Sequence, residues 1–160
     1  SQYKSPIQGR KKLTFGVGVK LATSFGSMDE VWLSYFGGNS TVRGWSVPNS
    51  EDYANPSQSF RFGNHRFIFS AEARQTIIPT SSVSASMFNT EYGLTGVAFF
   101  DFGYTSRQLH DLFKGDPLLG TGFGIRMPIP GGVLRFDFGW SFYSGAFISK
   151  GINFGLGQKF

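Results

Sequence analysis

The chain has 160 residues but no cysteine, and only 16% of its residues carry a charge. Without cysteine it has no disulfide bond and no cysteine-based metal site. It also lacks any run of about 18 apolar residues, the length that a membrane-spanning helix needs. These absences exclude both a disulfide-stapled domain and a helical membrane protein.

Glycine and aromatic residues are abundant instead. The chain has 22 glycines, and 19 of its residues are phenylalanine. Each glycine inside a helix costs about 1 kcal/mol relative to alanine, so the composition disfavours helices. Disordered chains are poor in aromatic residues, which excludes disorder. An all-β protein remains, and its length suits one domain over residues 1–160.

Six segments alternate between bulky apolar residues and small or charged ones, as Phe136 and Phe138 alternate with Arg135 and Asp137. This two-faced pattern is typical of a transmembrane antiparallel β-barrel, which turns apolar side chains to lipid and keeps a polar lumen. A soluble barrel or sandwich is the alternative. The six segments are Lys11–Phe25, Arg66–Ile77, Gly96–Tyr104, Leu119–Met127, Val133–Tyr143 and Ile152–Phe160.

The connections between these segments predict an orientation. Outer-membrane barrels have short periplasmic turns and long external loops. Short turns are expected near Thr80 and Pro130, and they alternate with longer connections. This alternation predicts a periplasmic C-terminus. The longer connections are Gly26–Asn64, Ser106–Asp116 and Ser144–Ser149.

The number of strands is too small for a closed barrel. The segment Val31–Phe36 is a possible seventh strand. Single-chain bacterial barrels have an even number of strands, at least about eight, and an open edge cannot be left in hydrocarbon. We therefore expect the missing strands to come from an N-terminal segment of the same protein or from another chain.

The longest connection contains the sequence Gly37-Gly38-Asn39-Ser40-Thr41-Val42-Arg43-Gly44-Trp45. It resembles the Gly-Gly…Val-Arg-Gly-aromatic motif of the polypeptide-transporting outer-membrane barrels. This superfamily includes BamA-type assembly factors, TamA-type relatives and two-partner secretion transporters. Three later stretches resemble further strand motifs of the same superfamily, in the same order: Phe99–Gly103, Gly122–Asp137 and Ile152–Phe160.

The resemblance implies the C-terminal six or seven strands of a sixteen-stranded barrel that is preceded by periplasmic POTRA repeats. In such barrels the motif loop folds back into the lumen, which makes Arg43 a lumenal residue and Asp101 its expected partner. A buried guanidinium needs a planar acceptor with two oxygens, and a carboxylate supplies one. The other motif positions are Gly37, Gly38, Val42, Gly44 and Trp45, and the further expected lumen partners are Glu72, Arg126, Arg135 and Asp137.

The last strand resembles the closing strand of these barrels, which forms one side of the seam where substrate strands enter. It also resembles the C-terminal aromatic signal that assembly machinery reads. Gln158 departs from the pattern, because an apolar residue is usual there. The residues that carry this resemblance are Phe154, Gly155, Leu156, Gly157 and Phe160.

The resemblance implies a non-enzymatic barrel of the bacterial outer membrane that assembles, inserts or translocates polypeptides. Its partners would be the lipid bilayer and client or secreted polypeptides, with no cofactor. A two-partner secretion pore and a display barrel that anchors an upstream domain, such as a patatin-like hydrolase, are the alternatives. The basic residues are scattered, so no nucleic-acid partner is expected. Ser106, His110 and Asp111 supply the residue types of a hydrolase, but closeness in sequence does not establish a catalytic geometry, so both His65 and His110 are read as ordinary residues near the external end of the strands. No spacing matches a metal site.

Overall fold

The computed structural model describes residues 13–25, 34–38, 41–85, 88–129 and 132–157, with the backbone alone over residues 79–92. The strands in these ranges are β1 (Leu13–Thr23), β2 (Ser34–Tyr35), β3 (Phe62–Gly63), β4 (His65–Ala85), β5 (Phe88–Ser106), β6 (Leu118–Ile129), β7 (Gly132–Tyr143) and β8 (Ala146–Gly157). Six of them form one antiparallel sheet in the order β1-β4-β5-β6-β7-β8, which we call the wall. Strands β2 and β3 form a separate ribbon.

Side chains alternate between two faces of the wall. The outward face is apolar, and Phe15 and Leu156 on it are 74% and 70% exposed. The inward face carries Asp101, which is fully buried, opposite Gly120 on the neighbouring strand. The predicted all-β fold is therefore confirmed. The wall is an open sheet in the described residues, with β1 and β8 as its edges, as expected for part of a barrel.

The hairpin of β4 and β5 is longer than the sequence suggested, and the predicted turn near Thr80 is wrong. Strand β4 continues to Ala85 and β5 begins at Phe88. In the described residues, β1 accompanies β4 only as far as Gln75, and β6 accompanies β5 only as far as Thr95. Beyond these points each strand pairs, among the described residues, only with the other strand of the hairpin. Pro79 of β4, which lacks an N–H donor, is tolerated in such a position.

Two other expectations are corrected. The connection predicted over Ser144–Ser149 is a turn of two residues, because β7 ends at Tyr143 and β8 begins at Ala146. Ser144 and Gly145 both have positive φ, 50° and 76°, as in the tight turns that match the twist of hairpin strands. Of the possible seventh strand, residues 34–35 form β2, which lies outside the wall, and residues 31–33 lie outside the described part.

The described residues of the long 26–64 connection carry β2, β3 and a short helix, α1 (Ser50–Ala54). Asn49 caps α1, since its side chain accepts from the N–H groups of Glu51 and Asp52, each at 2.9 Å. Asp52 accepts in return from the Asn49 N–H, which completes a capping box. A 3-10 turn, Pro56–Arg61, then leads into β3. Among the described residues, no helix is both long and apolar enough to cross a membrane.

Candidate functional site

Arg43 docks against the inward face of β5. Its Nε and Nη2 atoms donate to the two carboxylate oxygens of Asp101, each at 2.7 Å. The backbone N–H of Arg43 donates to the same carboxylate at 3.0 Å. Asp101 therefore accepts three hydrogen bonds at a position with no exposed surface. The fork of the guanidinium matches the two oxygens of the carboxylate, a geometry that lysine does not reproduce.

A second carboxylate and an aromatic ring complete the surroundings of Arg43. Its Nη1 atom donates to Glu72 on β4 at 2.6 Å, and Glu72 also accepts from Arg74. The guanidinium carbon lies 4.0 Å from the ring centre of Phe99, on the same face of β5 as Asp101. Cation–π contacts strengthen when the cation is desolvated, as it is here. Arg43 thus joins two neighbouring strands of the wall.

The charge of Arg43 is stabilised although only 8% of the residue is exposed. Burial disfavours the charged guanidinium, but the hydrogen bonds and charge of Asp101, and then those of Glu72, outweigh this effect. The pKa of Arg43 consequently lies above its ordinary value. A desolvated cation with this number of acceptors is firmly held, and removal of one partner leaves an uncompensated charge.

Glycines on the wall allow the backbone of the motif to lie directly on it. A Cβ atom at Gly120 of β6 would collide with the carbonyl oxygen of Arg43. One at Gly139 of β7 would come within 2.7 Å of the Gly44 Cα. Gly44 has a φ of 94°, and a Cβ there would lie 2.8 Å from the carbonyl oxygen of Trp140. Side chains at any of these three positions would push the motif away from the wall.

Hydrogen bonds hold together the two ends of residues 36–46, which we call the docked segment (residues 39 and 40 lie outside the described part). The Gly38 N–H donates to the Trp45 carbonyl at 2.8 Å. The guanidinium of Arg61 donates to the Phe36 carbonyl at 2.9 Å and to the Ser46 carbonyl at 2.5 Å. Arg61 is 4% exposed. It therefore bridges the two ends of the docked segment from within the 3-10 turn.

An apolar cluster accompanies the ion pairs between the docked segment and the wall. Trp45 is 2% exposed, and its indole N–H donates to the Leu119 carbonyl of β6 at 2.9 Å. Phe60 packs edge-on against Trp45 and stacks on Tyr143 of β7, with ring centres 4.0 Å apart. The fully buried members are Phe36, Val42, Trp45, Ile68 and Leu118. Burial of these apolar side chains adds favourable free energy to the docking of the segment, and this hydrophobic contribution does not depend on direction.

Arg126 and Asp137 do not join the Arg43 site, so the single lumenal network expected from the sequence is divided in two. Arg126 on β6 donates to both oxygens of Asp137 on β7, at 2.7 and 3.1 Å. Arg135 faces the same side but is exposed and makes no ion pair with the described residues. The pair is displaced from Arg43 along the strands, because Arg126 lies level with Thr95 of β5, six residues before Asp101.

The expected seam residues lie on β8, an edge strand. Phe154 and Leu156 are on its outward face and are 61% and 70% exposed. Gly155 and Gly157 pair with Arg135 and Val133 of β7. Phe160, expected to carry the C-terminal signal, lies outside the described residues.

Some contacts of the site were not expected from the sequence. Phe99 was detectable, because it lies two residues before Asp101 and so faces the same side. Ile68 was detectable in the same way, as an apolar residue on the charged face of β4. Arg61 had no such signal, because it lies in a connection without periodicity. Arg61 can bridge Phe36 and Ser46 only because the fold places the two ends of the docked segment beside it.

The histidines lie outside the docked site. His110 is in the connection after β5, 68% exposed at its side chain and 3.1 Å from Asp111. His65 is buried at the start of β4. Within the described ranges, no group of three or more histidine or carboxylate side chains is placed to hold a metal ion.

A comparison with protein families identifies the fold to which this geometry belongs. The model of the Omp85 superfamily domain matches residues 2–160. The chain belongs to the Omp85 superfamily. Omp85 proteins are outer-membrane β-barrels of bacteria that act in protein assembly or transport, and they are generally non-enzymatic. No curated protein and no solved structure matches the chain. The relationship inferred from the Val42-Arg43-Gly44-Trp45 motif is therefore confirmed.

Proposed function

We propose that this Omp85 chain belongs to a barrel that inserts client proteins into the outer membrane, without enzymatic chemistry. The observation that carries the proposal is the docked segment, which Arg43 ties to Asp101 and Glu72 on the inward face of the wall. In this proposal the docked segment braces β4 to β8, and clients engage the edge of the wall instead of passing along its inward face.

The energetics of docking support a brace. Breaking a buried ion pair by removing one partner costs about 3–5 kcal/mol. The Arg43 site has two carboxylate partners, and the apolar cluster around Trp45 must also be exposed when the docked segment leaves. Passage of a polypeptide beside β5, β6 and β7 would require this undocking. Insertion at the edge of the wall would not.

The edge strand β8 supports the same proposal. In the described residues β8 pairs with β7 alone, so its other edge presents backbone N–H and C=O groups. Such an edge pairs readily with an extended segment of another chain. Phe154 and Leu156 would face lipid, and the C-terminus would lie in the periplasm. Gly155 and Gly157, on the inward side of β8, have no side chain beyond hydrogen.

A cross-linking experiment separates insertion from translocation. Because these 160 residues contain no cysteine, a Phe60→Cys/Tyr143→Cys pair is unique among them. The stacked positions allow a short cleavable cross-linker to join β7 to the 3-10 turn, whose Arg61 holds the two ends of the docked segment. The full-length protein is placed in vesicles with an unfolded β-barrel client, and client folding is followed by heat-modifiable gel mobility. Insertion predicts that the cross-linked protein keeps its activity.

The uncross-linked double variant is the matched control. Loss of client folding on cross-linking, with recovery after the linker is cleaved, would show that the docked segment must move and would favour translocation. A display barrel that anchors an upstream domain predicts no acceleration of client folding, whether cross-linked or not. Either result would refute insertion at the edge of the wall.

A further inference from the structure

The connection between β5 and β6 bends over the outward face of the wall. The ring of Phe113 packs edge-on against Phe67 of β4 and Tyr104 of β5, with ring centres 5.3 Å away in both cases. Phe67 and Tyr104 are directly paired across the two strands. Both project from the outward face, so Phe113 extends that face beyond the last residues of the strands.

This connection is an ordered turn. Leu112 is 2% exposed and anchors it, and Leu109–Asp111 form a 3-10 turn. Lys114 donates to Asp111 at 2.7 Å, and this hydrogen bond lowers the pKa of Asp111. Leu109 and Phe113 are nevertheless 53% and 60% exposed. The fold therefore holds two large apolar side chains in solvent-accessible positions beside charged groups.

The surface to which Phe113 is joined is the lipid-facing one. Phe67 and Phe69 both contact Phe102, at 6.2 and 5.0 Å between ring centres, so the aromatic surface continues down the wall. In outer-membrane barrels an apolar band of about 25 Å is bordered by aromatic girdles at the two water interfaces. Tyr104, with its polar hydroxyl, and Phe113 lie at the end of the strands, where such a girdle is expected.

We propose that residues 109–114 form a membrane-interface anchor, with Leu109 and Phe113 inserted at the boundary between lipid headgroups and acyl chains. The occupant of this surface is the bilayer, because the surface is continuous with the lipid-facing wall. Side chains with both apolar and charged parts suit that boundary, and Lys114 and His110, each with 68% side-chain exposure, would remain in the headgroup layer. The anchor depends on the membrane location of the Omp85 barrel and not on the insertion of clients.

Depth-dependent quenching tests this anchor. Phe113→Cys gives a thiol that is unique among these 160 residues, to which an environment-sensitive fluorophore is attached. The protein is reconstituted in phosphatidylethanolamine–phosphatidylglycerol vesicles. These vesicles carry phosphatidylcholine with a nitroxide either near the headgroup or near the end of the acyl chain. We expect the headgroup-proximal nitroxide to quench the label at least about twofold more strongly than the chain-end nitroxide.

Two labelled positions calibrate the result. A label at Phe123→Cys, on the outward face of β6, reports quenching in the hydrocarbon region. A label at Ser57→Cys, on the exposed 3-10 turn after α1, reports quenching of a position away from the lipid. Heat-modifiable mobility of each variant verifies folding. Weak quenching at Phe113, equal to that at Ser57, would overturn the anchor. Stronger quenching by the chain-end nitroxide, as at Phe123, would also overturn it, because the turn would then lie below the interface.

Discussion

Strands β1 and β6 share one sequence pattern but differ in what covers them. Each alternates glycines with large apolar residues on the opposite face. In β6 a Cβ at Gly120 would collide with the docked segment, and one at Gly122 would collide with the Phe138 carbonyl. In β1 no atom lies within 4 Å of a Cβ added at Gly16 or Gly18. The pattern therefore identifies the inward face, but close packing on that face is decided separately for each strand.

The charged groups of the inward face also differ in whether the docked segment covers them. Asp101 lies under the docked segment and holds a buried guanidinium, whereas Arg135 is exposed two strands away. Both occupy inward positions in strands of similar sequence. Burial by the docked segment converts one inward charge into a site with a large energetic penalty for mutation, while the other remains an ordinary solvated residue.

The largest effect is expected from Asp101→Ala. It leaves Arg43 with Glu72 as its remaining carboxylate partner and deprives the Arg43 backbone N–H of its acceptor. We expect the free energy of unfolding to fall by about 3–5 kcal/mol. Urea titration in detergent micelles, followed by heat-modifiable mobility, measures it. Arg135→Ala is the control and should change stability by less than about 0.5 kcal/mol; equal losses would contradict a special role for the covered site.

A smaller effect is expected from Gly120→Ala, which tests whether the close packing on β6 is absent from β1. The added methyl group meets the backbone of Arg43, which is held in place by its ion pairs, so overpacking should cost about 1–3 kcal/mol. Gly18→Ala on β1 adds the same methyl group in open space and should change stability by less than about 0.5 kcal/mol. The same titration compares the two variants, and indistinguishable midpoints would refute close packing on β6.

The smallest effect is expected from Trp45→Phe, which tests one hydrogen bond between the docked segment and β6. The substitution keeps most of the buried apolar surface but removes the hydrogen bond to the Leu119 carbonyl. A loss of about 0.5–1.5 kcal/mol is expected. Trp140→Phe is the control, since Trp140 lies on the outward face with 38% exposure. A larger loss for Trp140→Phe than for Trp45→Phe would contradict the contribution of the indole N–H.

The structure extends the sequence-based expectations mainly in the connections. Alternation located all six wall strands, because the side-chain period of a strand is two and the apolar set must share one face. It did not reveal that β4 continues to Ala85, because the extension lies beyond the pairing with β1 in the described residues and its side chains need not alternate. It also did not reveal the two-residue turn at Ser144–Gly145, because glycine and serine are equally common in longer loops.

The candidate site was partly accessible from the sequence. Asp101 has the strand parity that an inward partner of Arg43 requires, and the structure places the two in contact. Parity gives the face of a strand but not the position along it, so Glu72 and the Arg126–Asp137 pair appeared equivalent. Glu72 lies level with Phe99 of β5 and reaches Arg43, whereas Arg126 lies level with Thr95 and pairs with Asp137 instead. The role of Arg61 follows from the path of the connection, which no periodicity describes.

The fold class, the two faces of the wall and the superfamily follow from the order of the amino acids, because they depend on local alternation and on contiguous motifs. Which inward residues are covered follows only from the folded arrangement. Coverage depends on where residues 36–46 cross the wall, and that position results from contacts between groups far apart in the chain, such as Arg43 with Asp101 and Gly44 with Trp140. Gly18 and Gly120 therefore look alike in sequence and differ in the folded protein.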